Sequence, residues 1–381
     1  MSAPPPVRTA AWAWQRTSGQ AVLGDMSAVS LTADGHDSPL VTETLASASR
    51  MPQLGADVAA TLDWCVDVGR RAPVAGEGDT RLLWELLAAI ARVSVSAARM
   101  LEPHLDALGI LHQAGCDFAD GCDPWGVGSV GAGEGSSWGV FAAESAGTRL
   151  EAVRTDAGWV LRGTKPWCSL AHELSHALVT GFVDDTRRQL FAVDLRGAGV
   201  QPHRGEWFAR GLPHVVSSPV DFHDAPAAPV GDVGWYLSRP GFAWGGMSVA
   251  ACWWGAAQGV ADALVEPARG ERADQLALVH LGRADAALWA ARSVLAEAAD
   301  LVDAGVPPGL DQRLLAERVR AAVVDAATLT LAEADAALGP APLVSDPGHA
   351  RRVSDLHLYL RQHHGLRDAA RIGRLRISAG S

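Results

Sequence analysis

His172-Glu173-Leu174-Ser175-His176 sets two imidazoles four residues apart with a carboxylate between them. On a helix this H-E-x-x-H spacing presents both rings to a zinc ion and the carboxylate to a metal-bound water. That chemistry needs a stable helix and a third ligand further along the chain. Lys165-Pro166-Trp167 precedes the stretch, strand-like Ala177 to Phe182 follows it, and the next carboxylates, Asp184 and Asp185, fall in a turn. The stretch therefore reads as a loop running into a strand, and no metal is expected. His363-His364-Gly365 offers different chemistry, because a neutral imidazole exchanges protons near neutral pH. The plainer reading of the same pair is a helix C-terminus capped before a glycine. Trp167 and Ser169, two residues apart at a strand end, join a flat apolar face to a hydroxyl, which is what a buried planar heterocycle requires. Against this stands a tryptophan that merely packs a sheet corner, in a chain with 14 of them.

The elements that must position these residues change character twice along the 381-residue chain. From Asp79 to about Leu111 apolar residues recur at helical spacing, with Pro103 predicted to interrupt the run. Gly121 to Ser137 is too rich in glycine for regular structure. Short β-prone runs follow at Trp138 to Ala143, Leu150 to Thr155, Gly158 to Leu161, His176 to Phe182 and Gln189 to Asp194, which predict a compact antiparallel β domain. After Pro240 the pattern returns to long helices at Ala243 to Val265, Arg272 to Ala304, Gly309 to Leu338 and Ala350 to about Ile372. The expected domains are an N-terminal helical one over 1–137, a central β domain over 138–235 and a C-terminal helical one over 236–381.

Composition excludes several classes. With 48% hydrophobic residues the chain can build a large core, and a net charge of -11 without a Lys/Arg cluster argues against nucleic acid as partner. Five cysteines without a C-x-x-C fit a reducing compartment, and no leader or membrane-spanning run is evident, so a cytoplasmic protein is expected. Gly126-Val-Gly128-Ser-Val-Gly131 matches G-x-G-x-x-G, but no strand precedes it and no helix opens after it. His104, His112 and His280 lie on helical faces and read as structural residues. Cys116 and Cys122 lack a partner pair at zinc spacing.

Four stretches resemble the acyl-CoA dehydrogenase superfamily of flavoproteins. Gly158 to Ser169, GWVLRGTKPWCS, is similar to its strand-turn G-x-x-L-x-G-x-K-x-W-x-S/T, and Trp138 to Thr148, WGVFAAESAGT, to a shortened T-E-P-x-x-G-S loop. Ala98 to His104 resembles its late N-terminal helix, and Gly255 to Gly259 the first helix of its C-terminal bundle. The resemblance spans nearly the whole chain. It implies an α+β multidomain fold with an N-terminal helical domain, a central antiparallel β-barrel-like domain and a C-terminal four-helix bundle.

It further implies FAD, or FMN in its place, with Trp167, Ser169, Ala143 and Thr148 as cofactor-binding residues. Arg269, in Arg269-Gly-Glu-Arg272-Ala273, is the best match to the arginine that reaches a neighbouring subunit's FAD, although the Phe-Gly pair of that motif is missing. Ala336 to Pro342 replaces the family's Q-x-x-G-G-x-G turn. Dehydrogenases of the family place a glutamate over the flavin at one of two positions, which here hold Gly245 and His363. His363 and His364 are thus the expected catalytic residues, and the histidine resembles that of the flavin monooxygenases sharing the fold. The implied function is oxidation of an acyl thioester or related small molecule. Its alternatives are a monooxygenase using reduced flavin and O2, or a non-catalytic binding subunit. A homodimer or homotetramer is implied by resemblance alone.

Overall fold

The computed structural model describes residues 29–31, 38–205, 207–269, 274–307 and 310–378. Gly309 and Arg272-Ala273, where helices and an FAD-reaching motif were expected, lie outside the described residues.

Helices α1 (Pro39–Ser49), α2 (Val58–Gly69), α3 (Thr80–Val93) and α4 (Val95–Gln113) open the chain. Apolar periodicity predicts one run with a break at Pro103, but the break falls at Ser94 and Pro103 lies inside α4. Ser94 takes extended angles (φ -147°, ψ 109°) and its hydroxyl accepts the Ala97 N–H at 3.2 Å. A serine between two β-branched valines favours the capping role over the helix interior. Pro103 gives up a single intrahelical bond, and burial of Ala98, Leu101 and Leu105 around it holds α4 together.

Strands β1 (Trp138–Phe141), β2 (Leu150–Thr155), β3 (Gly158–Ser169), β4 (His176–Phe182), β5 (Arg188–Asp194), β6 (Val200–Pro202) and β7 (Ser217–Val230) form one sheet. Neither β6 nor β7 was expected. The sheet is mixed where an antiparallel one was predicted: β1 runs parallel to β4 with Trp138 opposite His176, and β2 meets β4 in parallel at Glu151 and Phe182. The remaining pairs, β2 with β3, β3 with β7, β4 with β5, and β7 with β5 and β6, are antiparallel.

Helices α5 (Trp235–Ser238), α6 (Gly241–Arg269), α7 (Gln275–Asp303), α8 (Gln312–Leu338), α9 (Ala341–Ser345), α10 (Pro347–Tyr359) and α11 (Leu366–Ser378) complete the chain. α6 is buried along most of its length and lies so close to α3 that a Cβ on Gly255 would stand 2.0 Å from the Ala88 carbonyl oxygen. Trp84 and Trp254, both fully buried, satisfy their indole N–H groups on Ser248 Oγ and the Leu288 carbonyl, each at 3.1 Å. One apolar cluster runs through α3, α4, α6 and the facing sheet, so helices and strands share a core. No helix among the described residues is long and apolar enough to cross a membrane.

His104 ties α4 to β1. Its Nδ1 accepts the Trp138 N–H at 3.3 Å, and burial pushes the imidazole down to about 4. A base whose folded pKa is depressed supports the fold above its unfolded value near 6.5, and that support is lost as pH falls toward 4. Stability to urea should therefore fall by ~2 kcal/mol between pH about 6.5 and 5 through this group alone. His104→Gln should flatten that slope. An unchanged slope would assign the acid sensitivity to other residues.

Candidate functional site

The site is built on a defect in β3. Pairing with β7 slips between Lys165 and Cys168, and within the slip Trp167 takes φ +59°, a left-handed conformation that a bulky residue adopts only under constraint. The bulge separates neighbours that strict alternation would have placed otherwise. Lys165 is fully buried and donates to Glu144 Oε1 at 2.7 Å and to Thr180 Oγ1 at 2.8 Å, while the Trp167 side chain stands 59% exposed. Arg188 adds a second cation on Glu144 at 3.1 Å, so the loop after β1 is fastened to β3 and β5 through that carboxylate.

Trp167 borders a cavity of about 890 Å3 between the sheet and α4, α6, α8 and α10. That size lies within the range of cofactor and small-molecule sites. Ala143 and Ser169 line the same cavity, and Ser169 Oγ shares a 2.7 Å hydrogen bond with Ser217 Oγ. A flat exposed indole, a hydroxyl pair and the end of β1 fit a planar heterocycle with polar edges.

The opposite wall carries charge that sequence reasoning did not assign to the site. Arg99, Glu102 and Asp106 project from α4, Arg320 from α8 and Tyr359 from α10. Arg99 lies 3.8 Å from Glu102 and reaches Ser169 Oγ at 3.5 Å. Burial pushes the Glu102 carboxyl up to about 7, with Arg99 opposing the rise. Burial likewise raises Asp106, against the pull of Arg239 3.7 Å away. Arg320 stacks 4.6 Å above the Trp253 ring and donates to the Gly246 and Gln362 carbonyls at 2.8 and 3.3 Å. The available clue was three charged residues at i, i+3 and i+7, which share one face of α4.

The expected site residues divide. Ala143, Trp167, Ser169 and His364 line the large cavity, whereas Thr148, Arg269 and His363 do not. The Thr148 hydroxyl donates to the Ser145 carbonyl at 3.0 Å, within its own loop. Arg269 ends α6 in the open, 3.9 Å from Glu266. His363 borders a separate cavity of about 440 Å3. Its Nε2 lies 3.6 Å from buried Asp368, and burial pulls the imidazole below its ordinary pKa. Gly245 faces α4: a Cβ there would stand 2.8 Å from Asp106 Oδ1, so a carboxylate from the neighbouring helix fills the space beside it.

The H-E-x-x-H residues do not share a helix. His172 sits in a turn and meets the His203 carbonyl at 3.1 Å, whereas His176 opens β4, with Nδ1 on Ser175 Oγ and Nε2 on the Val130 carbonyl. Both ring nitrogens of His176 are thus engaged, and its ring packs 5.1 Å from Trp138.

This arrangement of helices around a mixed sheet recurs in solved flavoproteins, and the chain has the acyl-CoA dehydrogenase-like fold, which also serves flavin monooxygenases. Butyryl-CoA dehydrogenase from Megasphaera elsdenii superposes with a TM-score of 0.72 at 16% identity over 90% of this chain and 99% of its own. TdsC from Paenibacillus sp. A11-2, a dibenzothiophene monooxygenase solved with FMN and indole, superposes at 0.69 with 18% identity over 89% of this chain and 95% of its own. PigA with FAD and proline gives 0.71 at 15% identity over 91% and 99%. No family model matches the sequence, and no curated protein sequence matches it.

Proposed function

We propose that the protein is a flavin-dependent oxidoreductase that binds FAD or FMN in the large cavity and acts there on a small molecule. The observation that carries this reading is Trp167, held outward at a backbone bulge with Ser169 beside it on the same cavity wall. Trp167 would cover one face of the ring, Ser169 and the Ser217 hydroxyl its polar edge, and Ala143 the side toward β1. Thr148 and Arg269 would join the phosphate-bearing part. Arg269, off the cavity lining, would do so from a neighbouring subunit of a homodimer or homotetramer. A bound flavin supplies two-electron redox chemistry.

Two finer reactions are open to such a site. Oxidation of an acyl thioester is the first, with an apolar cavity wall to take the chain. Oxygenation of a small molecule is the second, and it is supported by His364 on the cavity lining, next to His363, which stands where a dehydrogenase of this fold would hold a glutamate. Asp368, 3.6 Å from both His363 and His364, would steady the turn that presents His364. Purified protein incubated with FAD or FMN should retain oxidised-flavin absorbance through gel filtration. A colourless product with both cofactors would leave a non-catalytic binding subunit as the better reading. In the loaded protein, anaerobic bleaching by butyryl-CoA supports thioester oxidation, and substrate-dependent O2 consumption with a flavin reductase supports oxygenation.

A further inference from the structure

α4 delivers two carboxylates one turn apart to the cavity, and the flavin reading employs neither. Asp106 is balanced in place by Arg239, whose side chain is 4% exposed. Glu102 is paired in the same way, with Arg99 on its own helix, but no arginine from another element approaches it at hydrogen-bonding distance. Its side chain is 8% exposed, its nearest arginine nitrogen is 3.8 Å away, beyond hydrogen-bonding distance, and Arg320 places Nη1 and Nη2 on the Gly246 and Gln362 carbonyls. The Tyr359 hydroxyl, buried and without a well-formed bond of its own, faces the same spot from α10. A buried carboxyl short of donors at a cavity wall is completed by whatever fills the cavity. The wall around it is aromatic, with Trp138, Phe141, Tyr236 and Phe242, and so suits a flat apolar body.

We propose that Glu102 is the catalytic acid–base of this cavity, receiving the hydrogen bond and then the proton of an O–H or N–H group on a neutral aromatic substrate. The assignment rests on the flavin reading for the reaction that it serves. In the step, the substrate's O–H or N–H bond breaks and its electron pair stays on the oxygen or nitrogen. The proton goes to a Glu102 oxygen. Total charge is unchanged, and the new anion faces Arg99, whose charge the carboxylate no longer balances. The groups that face Glu102 are Arg99 and Asp106 from its own helix, Arg320 from α8, Tyr359 from α10, Cys252 from α6 and Tyr236 from α5. Burial keeps the last three neutral far above pH 7. Glu102, raised to about 7 by burial, therefore changes charge near neutrality, and Asp106 beside it is raised in the same direction.

The test is calorimetric titration of the full chain with p-cresol, whose hydroxyl keeps its proton below pH about 10, and with toluene, which has the same shape and no donor. Between pH about 5.5 and 8.5 the p-cresol affinity should rise about tenfold as Glu102 ionises, because a hydrogen bond to a charged acceptor is the stronger one. Toluene should bind equally throughout. In Glu102→Gln the p-cresol rise should vanish while toluene still binds, which shows the cavity intact. Equal p-cresol affinity at both ends of the range in the unaltered protein overturns the proposal without need of the variant, as does a rise that survives Glu102→Gln. Flavin uptake by the same preparations separates this idea from the one it rests on. A yellow protein with flat p-cresol binding removes the proton role alone. A colourless one that shows the p-cresol rise removes the flavin reading and leaves Glu102 as the proton acceptor.

Discussion

Trp167→Gly should weaken FAD or FMN binding by about ten- to a hundredfold, while the protein without cofactor stays at least as stable as the Trp167→Ala variant by ~1 kcal/mol. The two effects have separate causes. Stacking of a heterocycle on an aromatic side chain contributes ~1–3 kcal/mol, which either truncation removes. The left-handed backbone at φ +59° strains any residue with a Cβ and leaves glycine at ease. Because the indole is more than half exposed, little packing is lost with it. Flavin fluorescence titration and urea unfolding of both variants read the two quantities independently. If both bound flavin as tightly as the unaltered protein, Trp167 would be a sheet-corner residue and the cofactor assignment would fall. If the two variants were equally stable, the bulge would carry no strain.

Gly255→Ala should destabilise the protein by about 3 kcal/mol or more, at the upper end for overpacking, because the added methyl meets backbone and not a side chain that can swing away. The Ala88 carbonyl oxygen at 2.0 Å and its Cα at 2.5 Å would have to retreat, which means moving α3 against α6. Gly282, where a Cβ meets nothing within 4 Å, is the control: Gly282→Ala within α7 should be neutral or mildly stabilising. Thermal unfolding of the pair settles it. Similar midpoints for both would show that α3 and α6 can separate freely.

Periodicity made the fold legible wherever one face of an element is buried and the other wet. His176–Phe182 and Leu150–Thr155 were bounded correctly from residue types alone, as was the end of α8 at Leu338. β7 escaped because Pro219, Pro226 and Pro229 argue against a strand, yet a proline still accepts through its carbonyl, as Pro219 does from the His203 N–H at 2.9 Å. β3 continues past Leu161 to Ser169 because pairing with β7 on its far side holds Gly163 and Lys165 in the ladder, a long-range contact with no local trace. The helices before Asp79 were not resolved one by one, although their apolar patterning is no weaker than that of α7 and α8.

The site was legible in part for a similar reason. Trp167, Ser169 and Ala143 stand together because strand spacing and one bulge bring them there, and the motif marks the bulge. Glu102, Arg320 and Tyr359 come from three helices whose relative rotation is decided by core packing. Only the placement of α4 against α6 and α10 makes a cluster of them. At the C-terminal pair two consecutive histidines both approach Asp368, each at 3.6 Å, and both border the smaller cavity. His364 alone also reaches the large cavity, a difference that residue order does not reveal.

The parallel pairing of β1 with β4 bears on the order of assembly. A hairpin closes a short loop, but Trp138 pairs with His176 only across the long stretch of chain that carries β2 and β3. β1 is therefore expected to dock among the last strands, and its far end carries Phe141 to Ala143, the edge of the cavity. The strand that completes the cavity would then also be the readiest to detach, so amide exchange along β1 should be the fastest in the sheet. Filling the cavity would slow that exchange first, making occupancy and completion of the sheet one event.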